Sequence, residues 1–468
     1  MYTYCKQFGS VIYFRDNNYT IKRITKYSWE LYLPDKDGKH KSIHGESLKQ
    51  NIYPSVKSAK DVINDLDQYN IALYGSKSFD YQYIRNEFLK KSVDPISPND
   101  LYIANIDIET GRDEKGYSSP GEARCPVTAI TLQDITNDIY YVFGWKSDNY
   151  KSKQKNVYYL HSSSEKNMLM KFVKFFSHRY PDIVTGWNCD VYDIPYIINR
   201  ISRIMGETGD QIVQQLSPFG RIYSNTNRDT FGNEIDTYNI IGISILDYLD
   251  LFKKFTYITP ENYKLNTVAQ LILGEEKIDY SEYGNLQNLF DTNYELFIDY
   301  NIKDVNLVAR IDQKLKLFDL ILSVAYKAGI NYNDVFSPVK TWDVLIYNAI
   351  MDQGMVPPIK MPDSIDSAYI GAYVKEPIPK RYKWIVSCDL NSLYPHLQMG
   401  INISPEKKLN DTEIPSELWE IRKQLNDPIT GIEKLLNEEI DTEVLNNIML
   451  LCLQMVNFTE ETPMDSFR

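Results

Sequence analysis

The chain has 468 residues, of which 43% are hydrophobic, 24% charged and 13% aromatic. This length favours about three domains of roughly 150 residues each, and the aromatic content excludes a disordered chain. The formal net charge of −12 excludes a surface that binds phosphates everywhere, although it is compatible with a local basic groove.

The cysteine pattern and the hydropathy pattern narrow the class of protein further. The five cysteines include no Cys-x-x-Cys pair, which argues against a disulfide framework and against a cysteine zinc site. The sequence contains no run of about 18 apolar residues, and it does not start with a basic segment followed by an apolar core. We therefore expect a soluble cytoplasmic protein without a membrane partner.

The first 100 residues combine short β-type runs, SVIYF and WELYL, with one predicted helix, SVKSAKDVINDLDQYN. From residue 101 the pattern changes. Three strands are predicted in LYIANIDIET, CPVTAITLQD and DIYYVFGW, and an amphipathic helix follows in EKNMLMKFVKFFSHRY. Strands followed by helices indicate a multidomain protein of the mixed α/β (α+β) class.

Three later segments complete the predicted elements. The stretch NTNRDTFGNEIDTYNI, with Phe-Gly-Asn in its middle, predicts a β-hairpin. Residues 292–329 have a helical period throughout, which predicts one long helix ending near Gly329. Prolines at 357, 358 and 362 predict a linker before a further domain.

A pair of acidic residues lies on the first strand of the middle region, in NIDIET. Asp107 and Glu109 are two residues apart, so both side chains leave the same face of a strand and can reach one cation such as Mg²⁺ or Mn²⁺. In isolation, such a pair is more often a solvated face. Ile106 and Ile108 nevertheless indicate a partly buried strand, where paired acids are costly without a counter-ion.

Two further acidic motifs follow. Asp190 and Asp193 lie in GWNCDVYDIPYIINR, just before an apolar helix start, and either could instead only cap that helix. Tyr300 and Asp304 in FIDYNIKD are one helical turn apart, which places a phenol beside a carboxylate. The alternative for this pair is a half-buried tyrosine above a surface aspartate.

Taken together, D-x-E on an early strand, N-x-x-x-Y-D about eighty residues later and Y-x-x-x-D on a late helix resemble the 3′→5′ exonuclease domain of family B DNA polymerases of T-even-like bacteriophages. The resemblance implies an RNase H-like fold with two Mg²⁺ (or Mn²⁺) ions, held by Asp107, Glu109, Asp193 and Asp304. It also implies that Tyr300 orients the attacking water. The predicted hairpin around Phe231 to Asn233 resembles the strand-separating hairpin of that family.

The segment DLNSLYP, beginning at Asp389, resembles the first polymerase motif of the same family. The resemblance implies that Asp389 is a catalytic metal ligand and that the nucleotide is bound by the residues that follow it, Leu390, Ser392, Leu393 and Tyr394. Tyr394 would lie under the sugar and disfavour a 2′-hydroxyl. His396 is a departure, because the family usually has serine there.

The resemblance also implies the domain organisation: an N-terminal domain (1–101), the exonuclease domain (102–316), a return segment that packs on the N-terminal domain (317–360) and a partial palm with an aberrant tail (361–468). The fingers helix and the Tyr-x-Asp-Thr-Asp hairpin of the family have no counterpart after residue 406. We therefore expect no polymerisation by this chain alone. The missing part could be a separate C-terminal polymerase polypeptide, could have been lost, or could be hidden by a frameshift near residue 452.

The predicted function is that of the N-terminal portion of a phage replicative DNA-directed DNA polymerase with 3′→5′ proofreading activity, in the cytoplasm of an infected bacterium. Its predicted partners are a single-stranded 3′ end, primer-template DNA and, only with a complementing chain, deoxynucleotides. One alternative is a stand-alone 3′→5′ DNA exonuclease. The other is a non-catalytic DNA-binding subunit. Four carboxylates aimed at a phosphate argue against this alternative, because their repulsion would lower the affinity for DNA.

Overall fold

The structure is a computed structural model that describes residues 2–68, 71–91, 97–152, 154–228, 234–359, 378–383 and 392–400. The elements before residue 92 are β1 (Tyr2–Phe8), β2 (Val11–Asp16), β3 (Ile21–Ile24), β4 (Trp29–Pro34), β5 (His40–Ser42), β6 (Ser47–Tyr53), α1 (Val56–Gln68), β7 (Tyr74–Gly75) and α2 (Phe79–Glu87). The strands predicted in SVIYF and WELYL are confirmed as β2 and β4, and the predicted helix is confirmed as α1.

The elements from residue 103 to 245 form the middle region. They are β8 (Ile103–Thr110), β9 (Val127–Asp134), β10 (Ile139–Gly144), β11 (Val157–His161), α3 (Glu165–His178), β12 (Ile183–Thr185), α4 (Asp193–Met205), α5 (Gly209–Gln214), β13 (Ile222–Arg228), β14 (Glu234–Ile240) and β15 (Ser244–Ile245). The three predicted strands and the amphipathic helix are confirmed as β8, β9, β10 and α3.

Helices dominate the remaining described part of the chain. The elements are α6 (Tyr248–Phe255), α7 (Leu265–Leu273), α8 (Leu286–Thr292), α9 (Tyr294–Leu315), α10 (Leu317–Ala328), α11 (Pro338–Asp352), β16 (Met355–Val356) and α12 (Leu393–Gly400). No helix among the described residues is long and apolar enough to cross a membrane.

The middle region is built on a six-stranded sheet with the order β11-β10-β9-β8-β12-β15. Of these six strands, β9 is antiparallel to both of its neighbours, while the other pairs are parallel. Every residue of β9 is buried, as expected for a strand that is covered on both faces. The predicted mixed α/β class is confirmed.

Alternate residues of β8 serve the two layers that cover this sheet. Ile106 and Ile108 belong to the apolar core formed with α3 and α4. Asp107 points the other way, towards α9, whose Asn301 donates a hydrogen bond to it. The period of two along a strand therefore separates a structural face from a polar face.

The helical pattern at residues 292–329 forms several helices, so the prediction of one long helix is wrong. The main break is at Lys316, which has φ 54° and ψ 42° in the left-handed region and separates α9 from α10. Asp312 Oδ1 stabilises the break by accepting hydrogen bonds from Phe318 N (3.2 Å) and from Tyr248 Oη (3.0 Å). The predicted end is confirmed, because α10 stops at Gly329, which has φ 75°.

The two strands of the predicted hairpin are confirmed. β13 and β14 pair antiparallel from Ile222 opposite Ile240 to Arg228 opposite Glu234. Phe231 to Asn233, the predicted tip, lie outside the described residues, as do Asp389 and Leu390.

By its contacts the chain divides into two units, Met1–Pro362 and Asp363–Arg468. In the first unit, β16 pairs parallel with β5, and Tyr2 Oη donates a hydrogen bond of 2.8 Å to the carbonyl of Ile330. In the second unit, the described residues include α12. Tyr394 lies on this helix and is 66% exposed.

A buried arginine joins the N-terminal sheet to the six-stranded sheet. Arg15 on β2 is 1% exposed, and its guanidinium donates to the carbonyls of Pro181 (2.8 Å), Gly242 (2.5 Å) and Tyr180 (3.2 Å). It also forms an ion pair of 3.4 Å with Asp182, which is itself buried. The arginine thus satisfies several acceptors that lie just before β12 and β15.

Replacing this arginine should strongly destabilise the first unit. The substitution Arg15→Ala leaves Asp182 as an unpaired buried charge, which costs about 3–5 kcal/mol. The measurement is the free energy of unfolding of this unit, obtained from urea titration. The control Lys22→Ala, at an exposed position of β3, should change the free energy of unfolding by less than about 0.5 kcal/mol. Equal effects of the two substitutions would contradict the role of Arg15.

Candidate active site

Three acidic side chains meet between the sheet and α9. Asp107 and Glu109 come from the same face of β8, and Asp304 comes from the third turn of α9. One carboxylate oxygen of each residue lies within 4.8 Å of the others, so the three could hold a metal ion. Glu109 and Asp304 are buried and Asp107 is half-buried, so the solvated-face alternative does not describe them.

Asp193 approaches the same strand from the opposite layer. It is the first residue of α4 and is 3% exposed. Its Oδ1 accepts a hydrogen bond of 2.8 Å from the backbone N–H of Ile108, between Asp107 and Glu109. The capping alternative does not describe this residue, because Tyr192 holds the N-cap position and the Asp193 side chain instead ties α4 to β8.

Asp190 is placed elsewhere. Its backbone N–H donates to Asp247 Oδ2 at 3.0 Å, and its side chain lines a separate cavity of about 150 Å³ with Tyr4 and Lys6. Burial, and then the charges of Asp247 and Asp250, raise its pKa to about 7. Of the two aspartates in this motif, it is Asp193 that lies beside β8.

A lysine that the sequence analysis did not identify joins the cluster. Lys277 Nζ donates hydrogen bonds to Asp304 Oδ2 (2.5 Å) and to Tyr300 Oη (3.1 Å). Burial alone would lower the pKa of Lys277, but its interactions with Asp304 and the neighbouring acids outweigh burial and raise it. Its sequence context, LGEEKIDY, has no pattern that would have identified it.

The electrostatics of the cluster are dominated by burial of negative charge. Burial raises the pKa of Glu109 to about 8 and that of Asp193 to about 7, and it raises the pKa of Asp107 as well. Burial also raises the pKa of Asp304, although Lys277 opposes this shift. Tyr300 is 5% exposed, and burial followed by Asp304 raises the pKa of its phenol, so the phenol is protonated at neutral pH.

The donor set and one unpartnered atom fit a divalent cation. Asp304 Oδ1 is buried and has no hydrogen-bond partner, which is costly for a carboxylate oxygen. The available ligands are all carboxylate oxygens, which hard cations such as Mg²⁺ and Mn²⁺ prefer. A bound cation would give this oxygen a partner and offset the repulsion among the acids.

An open cleft of about 530 Å³ leads to the cluster. Asp107 and Lys277 lie on its wall with Trp187, Tyr263 and Asn266. Trp187 Nε1 donates a hydrogen bond of 3.0 Å to the carbonyl of Tyr263, which fixes the indole at this wall. An extended ligand can therefore reach the carboxylates beside aromatic surfaces.

In metal-free buffer with EDTA, stability should fall as the pH rises from about 5 to 8. The folded state holds protons on Glu109 and Asp193 that the unfolded state releases near pH 4, so stability is full at low pH and is lost as the pH rises towards the folded pKa values. Each proton released contributes a slope of up to about 1.4 kcal/mol per pH unit. Urea unfolding at several pH values measures the slope.

The variant Glu109→Gln should flatten this dependence because it removes one of the titrating groups. Glu207→Gln is the control, since Glu207 is exposed and lies outside the cluster. A wild-type protein whose stability is constant or rises between pH 6 and 8 would contradict the assignment of raised pKa values.

Residues 67–268 match the family model of the exonuclease domain of DNA polymerase family B. Over 404 residues the chain is 33% identical to the DNA-directed DNA polymerase of Enterobacteria phage T4, a match that covers 80% of this chain and 44% of that protein. Over 391 residues it is 32% identical to the DNA-directed DNA polymerase of Escherichia phage RB69, with coverages of 79% and 42%.

A cellular relative is also similar. The DNA polymerase delta catalytic subunit of Schizosaccharomyces pombe is 29% identical over 290 residues, which cover 58% of this chain and 25% of that protein. The chain spans less than half the length of these curated relatives, and the two phage matches fall on their N-terminal parts. Residues 67–268 therefore correspond to the exonuclease domain of DNA polymerase family B, and the similarity to the two phage polymerases extends beyond these residues.

Proposed function

We propose that the chain is the N-terminal portion of a phage replicative DNA polymerase and that its buried carboxylate cluster removes nucleotides from DNA 3′ ends. The observation that carries the proposal is the convergence of Asp107, Glu109 and Asp304 at the end of an open cleft. The named relatives are polymerases, which favours this proposal over a stand-alone exonuclease and over a non-catalytic subunit.

The proposed cofactors are two Mg²⁺ or Mn²⁺ ions, held by Asp107, Glu109, Asp193 and Asp304. When bound, such ions stabilise negative charge on the attacking and the leaving oxygen of a phosphodiester. The buried, unpartnered Oδ1 of Asp304 supports this proposal, as does the excess of acids over bases in the cluster.

The reaction is a hydrolysis in which a water oxygen bonds to the terminal phosphorus and the bond to the 3′ oxygen of the preceding nucleotide breaks. The products are a nucleoside 5′-monophosphate and a shortened strand with a free 3′ hydroxyl. Tyr300 keeps its phenolic proton at neutral pH, so its hydroxyl can orient the attacking water by a hydrogen bond. Lys277, beside Tyr300 and Asp304, is placed to attract the phosphate.

The substrate class is single-stranded DNA, because the cleft is lined by aromatic side chains on which bases can stack. Trp187 and Tyr263 lie on its wall, and Lys253 Nζ lies 5.3 Å from the centre of the Tyr263 ring. Lys253 thus adds a positive charge near this end of the cleft.

The domain boundaries at 101/102, 316/317 and 360/361 remain part of the proposal. Hydrogen bonds from Tyr326 and Tyr332 to the carbonyl of Tyr2 support the packing of residues 317–360 on the N-terminal domain. Asp389 with Leu390, Ser392, Leu393 and Tyr394 is proposed as the first part of a polymerase site. A C-terminal polymerase polypeptide would complete that site and bind the deoxynucleotide and primer-template DNA, in the cytoplasm of an infected bacterium.

The nuclease should depend on the carboxylates of β8. Loss of a residue that only supports a metal ligand lowers activity about 10–100-fold, so removal of two ligands in Asp107→Ala/Glu109→Ala should lower the rate more than about 100-fold. The measurement is degradation of 3′-labelled single-stranded DNA with Mg²⁺, beside primer extension with four nucleotides. The wild-type chain should degrade the strand and should not extend the primer.

The matched control is Glu207→Ala/Asp210→Ala, which removes two exposed carboxylates from the surface and should retain full activity. Equal nuclease rates for the wild-type chain and the Asp107→Ala/Glu109→Ala variant would refute the proposed function.

A further inference from the structure

Asn301 is a fully buried amide that contacts the cluster. It follows Tyr300 on α9 and is 0% exposed. Its Nδ2 donates a hydrogen bond of 2.6 Å to Asp107 Oδ2, and its Oδ1 accepts a hydrogen bond from Thr131 Oγ1. The sequence motif Y-x-x-x-D does not include this position.

The chemistry of the two partners determines the orientation of the amide. As a metal ligand Asp107 must be ionised, and an ionised carboxylate only accepts hydrogen bonds, so Asn301 then turns its NH₂ group towards Asp107. The carbonyl oxygen of the amide then faces Thr131, whose hydroxyl can donate to it. Thr131 thereby stabilises the orientation of the amide in which its NH₂ group donates to the ionised Asp107.

The register of the sheet brings these three residues together. Asp107 on β8 and Thr131 on β9 are directly opposite each other in the antiparallel pair. Asn301 spans them from the layer of α9, so two strands and one helix are joined through one amide. Because a carboxylate is planar, a hydrogen bond that holds Oδ2 also limits the directions in which Oδ1 can point.

We propose that Asn301, oriented by Thr131, is a positioning residue that holds the Asp107 carboxylate for metal binding. This inference rests on the proposed function, because it assigns Asp107 to a metal site. Groups that fix a metal ligand from outside the coordination shell change metal affinity about 10–100-fold. A residue that only filled the interior would change stability without changing metal affinity.

The test uses the full chain with the variants Asn301→Leu and Thr131→Val, which keep the number and branching of the side-chain heavy atoms and remove the hydrogen bonds. Calorimetric titration with Mn²⁺ should give a Kd that is about 10–100-fold higher for Asn301→Leu. Thr131→Val should raise the Kd by a smaller factor. Excess Mn²⁺ should restore much of the nuclease rate of Asn301→Leu, because Asp107 itself is still present.

A double variant tests whether Thr131 acts through Asn301. If it does, Thr131→Val/Asn301→Leu should have the same Mn²⁺ Kd as Asn301→Leu alone. The matched control is Asn306→Leu on the same helix. The amide of Asn306 donates a hydrogen bond of 2.7 Å to Tyr140 Oη instead of to a carboxylate. Asn306→Leu should leave the Mn²⁺ Kd within about twofold of the wild type.

The outcomes separate this inference from the proposed function. Wild-type binding of Mn²⁺ with an unchanged Kd in Asn301→Leu would overturn the positioning role and leave the proposed function intact. Independent, additive effects of the two substitutions would overturn the role of Thr131. If the wild-type chain binds no Mn²⁺, the proposed metal site and the positioning role of Asn301 are both refuted. Thr131→Val decides the question if Asn301→Leu does not fold.

Discussion

The interior of the exonuclease domain is organised around the repulsion of buried carboxylates. Burial raises the pKa values of Asp107, Glu109, Asp193 and Asp304, and the charges of the other cluster acids raise those of Asp107 and Glu109 further. Lys277 supplies one positive charge to this group, which is less than the acids require when all are ionised. Such an energetic cost is typical of functional sites, where the same charges bind a ligand or take part in catalysis.

Three of the four acids are each held by a separate part of the fold. Asp193 accepts from the backbone of β8, Asp107 from Asn301 on α9, and Asp304 from Lys277 in the loop that follows α7. The site therefore depends on the packing of three layers and not on a single loop. Its geometry is as rigid as the sheet that carries it, which favours the accurate positioning that metal-assisted hydrolysis needs.

The sequence predicted which side chains of the site share a face. Two residues along a strand and four along a helix paired Asp107 with Glu109 and Tyr300 with Asp304, while the family resemblance was needed to favour a site over solvated or half-buried side chains. Lys277 lies in a loop and obeys no period, so its contact with Asp304 depends on tertiary structure. The break at Lys316 could not be predicted from the sequence either, because the apolar period continues through it. The break is stabilised by a hydrogen bond from Phe318 N to Asp312 Oδ1, which the period does not indicate.

The core of the N-terminal sheets combines residues that are very distant in sequence. Tyr2 bonds to Ile330 across 328 positions, and Asn331 exchanges two hydrogen bonds with the backbone of Cys5 across 326 positions. Contacts of such high sequence separation form late, since the intervening chain must first be ordered. During synthesis, β1 must therefore wait until residues near 330 have left the ribosome. β1 is therefore synthesised long before its partners and completes its packing only after those partners have emerged.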